Sequence, residues 1–61
     1  MNVKAGDLVV TNSGCEALVT EVLEAGYCWL LFTPNQALGI FENDFSLQNI
    51  NSIKKIISVA E

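Results

Sequence analysis

An all-β fold is what the sequence predicts, with five short strands curled into a small barrel. Three observations carry the prediction. Turn-forming clusters recur about every 8–12 residues, at Ala5-Gly6-Asp7, Asn12-Ser13-Gly14, Glu24-Ala25-Gly26, Thr33-Pro34-Asn35-Gln36 and Glu42-Asn43-Asp44. The segments between them are short and rich in β-branched and aromatic residues, which suit a pleated, half-buried surface. Finally, 61 residues of which 51% are apolar can build one core and not two, because a chain of about this size buries only ~60% of the surface it exposes when unfolded. The whole chain, 1–61, therefore reads as a single domain, with the barrel over about 3–50 and a separate C-terminal segment over 51–61.

The strands are expected at 8–12, 17–23, 27–33, 38–41 and, as a short piece, 47–48. The second contains helix formers, but Val19, Thr20 and Val22 are β-branched and the flanking glycines suit a hairpin. Side chains alternate across a strand, so the third strand has one face of Cys28, Leu30 and Phe32 and another of Tyr27, Trp29 and Leu31. Trp and Tyr carry a polar tip that favours a partner or water. Leu30 and Phe32 are therefore placed inside, joined by Leu38 and Ile40, and by Leu8, Val10, Leu18 and Val22 from the first two strands. Gly39 and Phe41 then face outward. The C-terminal segment fits two patterns. Ile53, Ile56, Ile57 and Ala60 recur at helical spacing after an Asn51-Ser52 cap signal, while Ile53, Lys55, Ile57 and Val59 alternate as in a strand. The helical match is the better of the two.

Charge and composition exclude several chemistries. Three Lys stand against seven acids with no Arg and no His, for a net charge of −4. Binding a nucleic-acid backbone requires several cations to displace counterions, and Arg is the best bidentate reader of guanine. The same balance argues against an anionic membrane surface. Without His, the usual base near neutral pH is missing, and imidazole-based nucleophile triads are ruled out. Two Cys and no His cannot close a four-ligand zinc site within one chain. No cofactor and no metal are expected, and the seven carboxylates read as solvated strand and turn residues. A hairpin turning near Ala25-Gly26 sets Cys28 opposite a residue near Leu23, and Cys15 opposite one near Gln36. That is too far apart for a disulfide. Both read as reduced thiols in a cytoplasmic setting, Cys28 as a small core hydrophobe and Cys15 in a turn. The longest apolar run, 27–32, is far short of the ~20 residues that span a bilayer, and Lys4 is followed by Ala5-Gly6-Asp7 and not by the apolar stretch of a secretory signal.

The order of features resembles a known family. Lys4-Ala5-Gly6-Asp7-Leu8-Val9, Ala17 to Val22, Leu30-Leu31-Phe32 before a Pro-Asn turn, and Ile40 to Leu47 resemble the successive strands and acidic one-turn helix of Src-homology-three-like small barrels. Ala17 stands where a Gly is common. The chain is similar to short barrel proteins of tailed phages and their bacterial hosts. Such barrels serve as structural subunits, as accessory domains of transcription and ribosomal proteins, and as peptide-binding modules, so the fold alone does not choose among them. The expected role is a non-enzymatic protein-interaction or assembly module, binding a protein partner or itself through the outward set Tyr27, Trp29, Leu31 and Phe41. Trp and Tyr are frequent interface anchors, and a large apolar patch is uncommon on a lone monomer. A nucleic-acid-associated accessory domain and a phage structural protein are the alternatives. Monomer and homodimer are both compatible with so small a core.

Overall fold

The computed structural model describes residues 2–32 and 44–60. Among the described residues five strands follow one another: β1 Leu8–Thr11, β2 Glu16–Val22, β3 Tyr27–Phe32, β4 Asp44–Asn49 and β5 Ile53–Ser58, with 3-10 turns at Glu24–Gly26 and Ile50–Ser52. They form one sheet in the order β4-β3-β2-β1-β5, and every neighbouring pair is antiparallel. The expected all-β class and the first three strands stand. Among the described residues the sheet does not close into a barrel, since β4 and β5 are its two edges. The strand expected at 38–41, with Leu38 and Ile40 inside, lies outside the described residues. The partner of β3 is a longer β4 than the short piece expected at 47–48.

The tight turns follow from glycine. Asp7 N–H donates to the Lys4 carbonyl at 3.1 Å across Ala5-Gly6, and Gly6 sits at φ +96°, the position a type II turn reserves for glycine. The β1–β2 hairpin closes with Gly14 N–H donating to the Thr11 carbonyl and Thr11 N–H to the Cys15 carbonyl, both at 2.9 Å, with Gly14 at φ +89°. This is the three-residue loop whose last position is left-handed. The β2–β3 hairpin has Leu23 N–H donating to the Tyr27 carbonyl at 2.8 Å.

The side-chain parity of β1, and of β2 as far as Val19, is the reverse of the expectation. Val9, Ala17 and Val19 are fully buried and Thr11 nearly so, while Leu8 and Val10 are half-buried and Leu18 is exposed. Val22, beyond a register shift in β2, opposes buried Cys28 and so lies on the inner side as expected, at its exposed margin. The cause is Asp7. Its carboxylate is turned inward, where Oδ2 accepts from Lys4 N–H at 2.8 Å and Oδ1 from Ala60 N–H at 2.7 Å. Alternation then carries Val9 and Thr11 to the same side. Gly6 N–H donates to the Val19 carbonyl at 2.7 Å and Val19 N–H to the Asp7 carbonyl at 2.9 Å, so β2 takes its parity from the same residue. Val3, Cys28, Leu30 and Ile53 complete the core, with Phe32, Ile50 and Ile56 packed against it. Leu30 and Phe32 thus lie on the inner side as expected, and Cys28 is a core hydrophobe. Cys15 and Cys28 are both free thiols.

The C-terminal segment is a strand, not the favoured helix. Asn49 caps only the single 3-10 turn, its side chain accepting from Asn51 N–H at 2.9 Å, and Ile53 is already extended at φ −88°, ψ 123°. β5 then pairs with β1 through two register shifts: Thr11 opposes Ile53, Val10 opposes Lys55, Val9 opposes Ile56 and Leu8 opposes Ser58. Lys54 and Ile57 are therefore extra residues. Because opposed residues share a face, the bulge at Lys54 puts Ile53 and Ile56 on the core side together. A three-residue spacing that reads as a helix is here the product of a bulged strand. Among the described residues no helix is long and apolar enough to cross a membrane.

Candidate functional site

Three of the four residues expected outward come together on the outer face of the sheet. Leu31 stands between Leu18 of β2 and Phe45 of β4, and Leu18 in turn opposes Leu8 of β1. That makes one apolar row across four strands: Leu8, Leu18, Leu31, Phe45. In the next row Trp29 stands between Glu21 and Leu47, and Tyr27 opposes Asn49. Directly opposed side chains lie about 4.5–5.5 Å apart at Cβ, so the rows are continuous surfaces. Phe41, the fourth expected member, lies outside the described residues.

Exposure separates the members. Phe45 is 60% exposed, Leu47 48%, Tyr27 43% and Leu18 37%. Trp29 and Leu31, on the strand between β2 and β4, are half-buried. Phe45 and Leu47 therefore provide more accessible apolar surface than the indole does. Sequence reading passed over both of them. The alternation Phe45-Ser46-Leu47-Gln48 was available as a signal, but Glu42-Asn43-Asp44 reads as a turn and shortens the strand. Leu18 was missed because its parity was reversed.

A bulge in β2 shapes the rim. Val19 opposes Leu30 and Glu21 opposes Trp29, so Thr20 is the extra residue. Its hydroxyl donates to the Trp29 carbonyl at 3.2 Å. The shift brings the Glu21 carboxylate to the outer face beside the indole. At the other end of the face Val10 lies between Glu16 and Lys55. The face is thus an apolar centre with charged residues at its margins, the layout of an interaction surface.

A concavity of about 240 Å3, apart from this face, is lined by Thr11, Asn12, Ser13, Phe32, Gln48 and Ser52. Several of its polar groups already have partners. Thr11 Oγ1 and Ser13 Oγ are 2.9 Å apart, Asn12 Nδ2 donates to the Asn51 carbonyl at 3.0 Å, and Gln48 Nε2 donates to Ser46 Oγ at 2.6 Å. Beside it Ser13 Oγ donates to Cys15 Sγ at 3.5 Å. Burial pushes the Cys28 thiol above its usual range, which keeps it protonated and unreactive near neutral pH. Among the described residues no three His, Cys, Asp or Glu side chains gather closely enough to hold a metal ion. Compared with protein-family models, with curated proteins and with solved structures, the chain matches none.

Proposed function

We propose that the chain is a non-enzymatic protein-interaction or assembly module whose outer sheet face binds a protein partner or a second copy of itself. One observation carries this reading: Leu18, Tyr27, Phe45 and Leu47 are exposed on the same face that holds Trp29 and Leu31. Aromatic and large aliphatic groups massed on one accessible face are what interface cores are made of. The composition supports the non-enzymatic part, since a chain without His or Arg lacks the residues most used for proton transfer near neutral pH and for oxyanion or phosphate binding. A Src-homology-three-like architecture is part of the proposal. The strand order, the hairpin linking β2 to β3, and the 3-10 turn between β4 and β5 support it.

The test compares wild type with the double variant Phe45→Ser, Leu47→Ser in capture from a native lysate and in light scattering. Both side chains are exposed, so the variant keeps the wild-type circular dichroism. Loss of the captured partner or of self-association supports the reading. Undiminished association by the folded variant refutes it.

A further inference from the structure

The two edges of the sheet are built differently. β5 has bulges at Lys54 and Ile57 and carries the adjacent cations Lys54 and Lys55. Bulges and lysines are devices that stop an edge strand from pairing with another chain. β4 has neither. Its six residues oppose β3 in unbroken register, it contains no Lys, Pro or Gly, and Phe45 and Leu47 stand exposed along it. Among the described residues nothing pairs with its outer edge. A regular, apolar edge without bulge or lysine is a template for a further strand.

We infer that β4 is a self-pairing edge: two copies of the chain join β4 to β4, antiparallel, about a twofold axis at Ser46, merging their five-stranded sheets into one. The inference rests on the interaction role proposed above and deepens it by naming the partner as a second copy. The register follows from face matching, because opposed residues point to the same side and a slip of one residue would set apolar against core-facing positions. With Ser46 on the axis, Phe45 opposes the partner's Leu47 and Leu47 opposes the partner's Phe45. Asp44 opposes the partner's Gln48, so no two carboxylates meet. Phe45-Ser46-Leu47 has the apolar–polar–apolar symmetry that such an axis requires, and a second copy supplies the complementary pattern by construction. The row Leu8, Leu18, Leu31, Phe45 then continues into that of the other copy. Pairing β4 with the partner's β5 would build a ring or an open chain instead, and the bulges and lysines of β5 oppose it.

The experiment uses the full chain in a Cys15→Ser background, in which the remaining native thiol, Cys28, is fully buried. Ser46→Cys and Leu18→Cys are added separately, and each protein is oxidised and analysed by non-reducing electrophoresis. Light scattering of the unmodified chain runs alongside. The expected results are a mass twice 6.6 kDa and a covalent dimer through Ser46→Cys but not through Leu18→Cys. Phe45→Lys with Leu47→Lys weakens the dimer at least tenfold with the circular dichroism retained. A dimer that cross-links through Leu18→Cys and not Ser46→Cys overturns the edge arrangement while leaving the outer-face role standing. A monomer up to millimolar concentration that still captures another protein through the face overturns the self-pairing alone. A monomer that captures nothing overturns both.

Discussion

Asp7 holds two parts of the chain that are far apart in sequence, accepting from the N–H groups of Lys4 and Ala60 while lying out of solvent. The Ala60 and then the Lys4 backbone hydrogen bonds hold its carboxyl below the usual carboxylate range, against the opposing effect of desolvation. A carboxyl lowered in the folded state contributes stability that is complete above its unfolded value, about 3.9, and is lost as the pH falls below that through the folded value. Asp7→Asn should lower the urea midpoint at neutral pH and flatten its decline below about pH 4; an unchanged acid limb in urea titrations at stepped pH would refute the assignment. Gly6 is constrained twice, by φ +96° and by an added Cβ that would stand 3.0 Å from the Ala60 Cβ. Gly6→Ala should cost more than about 1 kcal/mol. Adding Ala60→Gly should recover the part due to contact and leave the part due to φ, which a double-mutant cycle in denaturant separates. Ala25 sits at φ 62°, ψ 21°, left-handed without being glycine, so Ala25→Gly should raise stability by up to about 1 kcal/mol in thermal melts.

The last strand shows how local pattern and tertiary context diverge. Ile53 is 5% exposed and Ile57 45%, although a helix would place both on one buried stripe. Ile53→Ala should therefore cost about 2–5 kcal/mol, and Ile57→Ala well under half of that. Equal losses in chemical denaturation would favour the helix. Cues for β5 were present in the residues, since Ile and Val favour strands, but the bulges at Lys54 and Ile57 erased the two-residue period. A bulge is set by the partner strand, and β1 lies more than forty residues upstream. β3 was readable for the opposite reason. Its six residues are uninterrupted, Cys28 and Leu30 share a face without a bulge, and Tyr27 and Trp29 carry polar tips that argue for the other face.

Across the molecule, a small core is backed by an accessible apolar face. The Cα radius of gyration is 10.7 Å, close to the ~10.5 Å of a compact chain this long, and among the described residues seven apolar side chains make up its buried centre. Trp29 is the chain's one Trp and is half-buried on the outer face, so it reports on that surface. Its fluorescence should be partly open to acrylamide in the dilute protein and become shielded when the face is occupied. Phe45→Ser with Leu47→Ser should remove that shielding while changing stability by less than about 1 kcal/mol, the usual range for exposed positions. The candidate face was half legible from composition and spacing. Tyr27, Trp29 and Leu31 were found because one strand's alternation is a local property. Leu18, Phe45 and Leu47 were not, because their membership depends on which way neighbouring strands turn. Class, turns, strand chemistry and the lack of His and Arg are local or summed properties, and a list of residues contains them. Parity, bulges and edges arise from pairing between distant segments. The parity of β1 and the start of β2 hangs here on a covered carboxylate that bonds Lys4 and Ala60, the second a contact that exists only once the chain has folded.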